Sequence, residues 1–247
     1  MGPKELEDLA RVSGRHWFYR GKRRVVWYWL ERVGALAGRP LLVDCGAGTG
    51  EFALEAQARC RVLALDDSDW AVERLVALLG PDGARKAAVN ALPVEDGSAD
   101  IITALDVIEH VEDDRGAVAE FRRALRPGGW LAVTVPACPF LWSSWDEVLG
   151  HHRRYTQETL GALMADAGFD MARIAYINVP AFPAMVAARL VRRCAGEPSG
   201  WRFEDWIPPR PLNALLERLF VWTACVPLVR FPIGASLLVI ARRPATS

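Results

Sequence analysis

Leu41-Leu42-Val43-Asp44-Cys45-Gly46-Ala47-Gly48-Thr49-Gly50-Glu51-Phe52-Ala53-Leu54 decides the fold of this chain. The apolar run that opens it reads as a buried strand, and the residues from 50 onward read as the start of a helix. Glycines at the alternate positions 46, 48 and 50 let the backbone turn sharply and let a ligand lie against it without Cβ contact. The next apolar run, Val62-Leu63-Ala64-Leu65, ends on Asp66, 20 residues beyond Gly46. At that distance a βαβ unit delivers a carboxylate to a ribose diol.

The charges around the loop choose between two nucleoside ligands. A dinucleotide loop reads G-x-G-x-x-G and lays a pyrophosphate on the helix N-terminus. Here the sixth position is Glu51, and Asp44 precedes the first glycine. Both acids repel a pyrophosphate. They suit a ligand with positive charge and no phosphate, such as S-adenosylmethionine, which carries an ammonium, a sulfonium and a ribose diol.

Working outward, 247 residues suffice for one large domain, or for one domain with an elaborated cap. Thirty basic residues balance thirty acidic ones, so no charge excess points to a nucleic-acid partner. Cysteines stand singly at 45, 60, 138, 194 and 225, without metal or redox-motif spacing, as expected of thiols in a reducing cytoplasm. The N-terminus has no signal-peptide core, and the apolar stretch 219–241 is broken by Pro227, Arg230 and Pro232. The expected location is cytoplasmic.

From residue 41 the pattern alternates strand and helix. Strands are expected at 41–45, 61–66, 86–89, 100–106, 129–135, 172–178 and 235–242, and helices at 50–58, 69–79, 114–125 and 156–167. This predicts an α/β fold with a parallel sheet covered on both faces. Arg126-Pro127-Gly128-Gly129 reads as a helix stop and turn. The expected organisation is an N-terminal helical lid over 1–38, a Rossmann-like core over 39–178 and 235–247, and a helical cap over 179–234. The cap carries two apolar helices, 181–193 and 212–225.

On these motifs the chain resembles the class I S-adenosylmethionine-dependent methyltransferases of the small-molecule, ubiquinone-methyltransferase-like type. The matching pieces are Asp44-x-Gly46-x-Gly48-x-Gly50, Leu65-Asp66-Asp67-Ser68, Asn90-Ala91-Leu92-Pro93, Leu105-Asp106-Val107-Ile108-Glu109-His110-Val111 and Leu125-Arg126-Pro127-Gly128-Gly129. The resemblance implies a seven-stranded sheet with an antiparallel last strand and cofactor at the C-terminal strand ends. It also implies positions for the cofactor. Gly46, Ala47, Gly48 and Gly50 pass under the methionine moiety, and Asp44 holds the ammonium. Asp66 takes the ribose hydroxyls, flanked by Asp67 and Ser68. Asn90, Ala91 and Leu92 lie by the adenine. Asp106 lines the methionine side, and His110 stands near the sulfonium. From the residues themselves, the aromatic and basic N-terminal lid brings Tyr19, or Arg20 or Arg23 by charge, to the methionine carboxylate; a solvated basic helix packed by Trp27 and Leu30 is the competing reading.

Methyl transfer from a sulfonium is an in-line displacement with a good leaving group, so much of the catalysis is positioning and desolvation. A carboxylate acceptor needs no base, whereas a phenol, alcohol or ammonium does. Histidine titrates nearest neutral pH. The segment Trp145-Asp146-Glu147-Val148-Leu149-Gly150-His151-His152-Arg153-Arg154-Tyr155 therefore supplies the candidate base, His151 or His152, with Arg154 and Tyr155 orienting an acceptor. A structural loop, with Arg153 and Arg154 pairing Asp146 and Glu147, is the competing reading. No metal site is expected, because the spacing of Asp146, His151 and His152 matches no common ligand motif.

The apolar insert suits an aromatic or lipid-like small acceptor methylated at oxygen or nitrogen. The same surface serves a homodimer, or a peripheral membrane contact through Arg189, Arg192, Arg193 and Arg230, which the sequence favours less. A small-molecule C-methyltransferase and a non-catalytic methyltransferase-like subunit are the alternatives.

Overall fold

The computed structural model describes residues 3–195, 206–226 and 231–245. Two helices come first, α1 (Pro3–Val12) and α2 (Trp17–Arg32). An alternating series follows: β1 (Leu41–Cys45), α3 (Glu51–Ala56), β2 (Arg61–Asp66), α4 (Asp69–Leu79), β3 (Ala84–Lys86), β4 (Ala99–Leu105), α5 (Asp114–Ala124) and β5 (Leu125–Pro136). Beyond it lie α6 (Ser144–Val148), α7 (Gln157–Asp166), β6 (Asp170–Ile177), α8 (Phe182–Ala195), α9 (Arg210–Cys225) and β7 (Ser236–Arg242).

The strands form one sheet in the order β3-β2-β1-β4-β5-β7-β6. β1 to β5 pair in parallel, and β7 runs antiparallel between β5 and β6. The strand order reverses between β1 and β4, which opens the ligand crevice of a doubly wound sheet at their C-terminal ends.

Strand residues alternate between two cores, as the period of two requires. Val43, Ile102, Leu131, Val133 and Val239 face α5 and α7, where Phe121, Leu160 and Met164 pack. Leu42, Ile101, Ala132, Leu238 and Ile240 face the other way, onto Val25, Leu30, Phe52 and Phe220. This second core joins the N-terminal lid and the insert of the sequence reading into one layer. α2 lies against α9, and Asn213 of α9 accepts from the Trp17 N–H at 2.9 Å and donates to the Arg15 carbonyl at 2.9 Å. Buried Glu217 of α9 pairs with Arg20 at 3.1 Å and Arg24 at 2.8 Å, both on α2.

The N-terminal stretch, read as a helical lid over 1–38, is two helices parted at 13–16, where the His16 ring accepts from the Phe18 N–H and caps α2. The Arg126–Gly129 turn is absorbed into β5. Leu125 pairs with Ala99 and Trp130 with Ile101, so residues 126–129 bulge opposite Asp100. Arg192, Arg193 and Arg230, expected at the edges of the insert, lie outside the described side chains. Among the described residues no helix is long and apolar enough to cross a membrane.

Candidate active site

The glycine turn builds the floor of the site. Ala47 N–H donates to the Leu65 carbonyl at 3.0 Å, tying the loop to the end of β2. Gly46 has φ +66, and a Cβ there would stand 2.6 Å from Val107 Cγ2, so only glycine fits. Asp66 does more than wait for a ribose. Its Oδ2 accepts from Gly48 N–H at 2.8 Å and its Oδ1 from Ser68 N–H at 3.0 Å. A carboxylate offers about four lone-pair sites, so two remain for a diol.

Asp44, in the penultimate position of β1, is 3% exposed and accepts from Thr103 Oγ1 at 2.6 Å. Burial pushes its carboxyl up to about 7, with a further push from Asp66, while the Thr103 bond pulls the other way. A buried acid held partly protonated gains most from a cationic ligand. Glu51 is different. Thr49 donates to it, and Arg74 pairs with it at 3.5 Å. Its repulsion of a pyrophosphate is thus partly cancelled, and Asp44 carries the electrostatic argument.

A cavity of about 660 Å³ opens above this floor, within the ~300–1,000 Å³ typical of small-molecule sites. Of the residues expected to hold cofactor, Asp44, Gly46, Ala47, Gly48, Asp66, Asp67, Ser68, Asn90, Asp106, His110 and Tyr19 line it. Gly50, Ala91, Leu92 and Arg20 do not. Gly50 caps α3 with φ +84. The Leu92 N–H donates to Glu120 at 2.7 Å. Ala91 is exposed, and Arg20 turns to Glu217.

The catalytic candidates divide. His151 and Arg154 line the cavity, whereas His152 and Tyr155 do not. Exposed His152 touches the site only through its backbone N–H, which donates to the Glu109 carbonyl at 2.7 Å. Tyr155 is buried and donates to Asp114 at 2.8 Å, and burial, reinforced by that contact, drives its phenol well above the usual range. Arg154 is committed to Asp146 at 2.7 Å and to the Ala137 carbonyl at 3.1 Å, so it braces the loop. Arg153 pairs with Asp114 at 2.8 Å rather than with Glu147.

Asp146 is the hub of this loop. It is fully buried, closes the capping box at the start of α6, and receives Nδ1 of His151 at 2.9 Å. Burial alone would raise its pKa, but the bonds from His151 and Arg154 outweigh it and bring the carboxyl down to about 2.

Two charged groups escaped the sequence reading. Lys22 of α2 is 5% exposed and pairs with Asp106, which also accepts from Thr134 Oγ1 at 2.8 Å. Its signal was a lysine on the apolar face of an amphipathic helix, between Gly21 and Val25. Glu109 is fully buried, and neither carboxylate oxygen has a hydrogen-bond partner. Its signal was a carboxylate directly before His110 in an otherwise apolar run. The far wall comes from Trp145, Leu149, Met185 and Asn178, whose Oδ1 is also buried without a partner.

The structure tests the fit of S-adenosylmethionine through its own groups. A buried acid lacking a cation, a carboxylate with two spare acceptor sites and a glycine cradle match its ammonium, ribose and methionine chain. Comparison with known proteins agrees. The family model described as a methyltransferase domain matches residues 19–174. A protein of Mycolicibacterium smegmatis named a probable S-adenosylmethionine-dependent methyltransferase is 33% identical over 173 residues, covering 69% of this chain and 65% of that one. A ubiquinone biosynthesis O-methyltransferase of Bordetella avium is 32% identical over 143 residues, covering 51% of this chain and 58% of that one. The chain thus spans less than two thirds of the length of either relative. The crystal structure of an S-adenosylmethionine-dependent methyltransferase from Mesorhizobium loti has the same fold, with a TM-score of 0.59 at 19% identity, covering 89% of this chain and 98% of that one. Sheet order, glycine floor and family match together place this chain in the class I S-adenosylmethionine-dependent methyltransferase family.

Proposed function

We propose that this chain transfers the methyl group of S-adenosylmethionine to the oxygen or nitrogen of a small, largely apolar acceptor. The carrying observation is the single cavity that runs from Asp44, Gly48 and Asp66 to Trp145, Leu149 and Met185. One end suits a cationic nucleoside, and the other an apolar or aromatic body. Met185 and Arg189 of α8 are part of the wall, which supports the insert as a determinant of the acceptor.

The cofactor supplies the electrophilic methyl group. The chain's own residues do the rest. Asp44 holds the ammonium, Asp66 the ribose, and the Gly46–Gly48 backbone permits close approach. Phe18, Leu6, Leu9 and Val12 close the N-terminal side against water. An in-line displacement needs little more than this alignment when the acceptor is already an anion.

The test is calorimetric titration with S-adenosylhomocysteine, with NADH as control, followed by a screen of phenolic, carboxylate and lipid-like acceptors. Binding of the first ligand alone, with turnover of an apolar acceptor, is expected. Preference for NADH overturns the cofactor assignment, and turnover confined to polar acceptors overturns the acceptor class.

A further inference from the structure

We infer that Glu109, His110 and His151 form a binding site for a first-row divalent transition cation of the zinc type, at the junction of the cofactor and acceptor ends of the cavity. One ligand atom from each of the three residues lies within 4.8 Å of the other two, and all three residues line the cavity. It is the one such group among the described residues. Zinc–nitrogen and zinc–oxygen bonds of roughly 2.0–2.2 Å place ligand atoms about 3–4 Å apart. Side-chain adjustments of about 1 Å or less therefore bring all three onto one ion.

Unmet demand is the second observation. Both Glu109 oxygens and His110 Nδ1 are buried without any hydrogen-bond partner. Buried carboxylates are rarely left this way, because desolvating a charge without a partner costs far more than a hydrogen bond returns. A cation answers all three vacant atoms at once.

The supporting shell is of the kind that metal-bound histidines use. Such a ring commonly gives its other nitrogen to a carboxylate or a backbone carbonyl, which fixes its tautomer and orientation. His151 Nδ1 meets fully buried Asp146 at 2.9 Å, leaving Nε2 as the nitrogen that Asp146 does not use. Two imidazoles and one carboxylate favour zinc, manganese or iron over magnesium, which prefers oxygen ligands. Three protein ligands also leave positions open for a substrate.

The cation site stands on these contacts alone, and its role in turnover rests on the proposed methyl transfer. An acceptor hydroxyl that becomes a further ligand gives up its proton to solvent more readily. Its oxygen pair then forms the bond to the methyl carbon, while the carbon–sulfur bond breaks with its pair left on sulfur. The sulfonium becomes a neutral thioether, and charge and atoms balance.

The test titrates the chelator-treated full chain with Zn²⁺ and, separately, Mn²⁺ by calorimetry, with S-adenosylhomocysteine binding run alongside. One cation per chain is expected. Glu109→Gln and His151→Ala should each weaken it by at least ~100-fold, Asp146→Asn by about 10–100-fold, and His152→Ala not at all. Absence of cation binding by the wild type overturns the inference. So does unchanged cation affinity in Glu109→Gln that still binds S-adenosylhomocysteine, or in His151→Ala should the first variant not fold. Cation binding without S-adenosylhomocysteine binding keeps the metal site and sinks the methyltransferase reading. The reverse result does the opposite.

Discussion

Asp44 gives the sharpest prediction, because its environment sets a pH dependence with a definite sign. Its carboxyl sits near 7 in the unliganded chain, raised chiefly by burial and secondarily by Asp66. A cationic ammonium binds the ionised form. Between about pH 8 and about pH 6 the ionised share falls from about nine tenths to about one tenth, so affinity for S-adenosylhomocysteine should drop about tenfold. Calorimetry in two buffers of different ionisation enthalpy should find close to one proton released per complex at the lower pH. Asp66, also pushed upward by burial, tilts the profile the same way. Asp44→Asn therefore isolates the part due to Asp44 and should flatten most of the slope at a uniformly lower affinity. Thr103→Val, which removes the hydroxyl donor at 2.6 Å, should slide the midpoint upward. Stability runs the other way. The folded chain keeps a proton that the unfolded chain loses near pH 4, so this group's contribution declines as pH rises from about 4 to about 7. Constant affinity across the window with no proton exchange, in a folded wild type, would refute the placement of the ammonium on Asp44.

Other perturbations separate binding from folding. Asp66→Ala should cost roughly 1–3 kcal/mol of S-adenosylhomocysteine binding, the scale of a charged hydrogen-bond acceptor; unchanged affinity in the folded variant would mean that the ribose lies elsewhere. Phe220→Ala empties the fully buried seam between α2 and α9 and should lower stability by about 3–5 kcal/mol in a denaturant titration. A loss below about 1 kcal/mol would show that the two helices repack freely. Lys22→Met leaves Asp106, about a third of its side chain exposed, without its cation. We expect about 1–2 kcal/mol of destabilisation at pH 7, shrinking as acid neutralises Asp106, because a carboxyl held below its usual range stabilises only above that range. A loss that does not change with pH would count against the pairing.

Much of the fold was legible because it is written in short-range pattern. Short continuous apolar runs between glycine and proline punctuation marked the strands to within a few residues, and α4 coincides with its expected range, 69–79. The glycine floor was legible for the same reason, since Asp44, Gly46 and Asp66 stand in or directly after the ends of β1 and β2. The acceptor end was not. His151, His152, Arg154 and Tyr155 are neighbours in sequence, yet the return of their loop to β5, with Tyr155 N–H donating to the Pro136 carbonyl at 3.0 Å, sends them in different directions. Their roles depend on Asp146, Asp114 and Glu109, drawn from three segments. Lys22 meets Asp106 across 84 residues, and no local spacing encodes such a meeting.

The division of the cavity into a glycine floor and a far wall has a consequence for how such a chain diversifies. The floor of the cavity is fixed by backbone geometry that tolerates almost no substitution, as the Val107 contact at Gly46 shows. The wall at the acceptor end comes instead from Trp145 of α6, Leu149 and Met185 of α8, and α8 lies outside the segment that matches the family model. Changes in these side chains can therefore reshape the acceptor end while leaving the donor end as it is. The chain separates what must be kept from what is free to vary along a physical boundary, with the methyl donor on one side and the choice of recipient on the other.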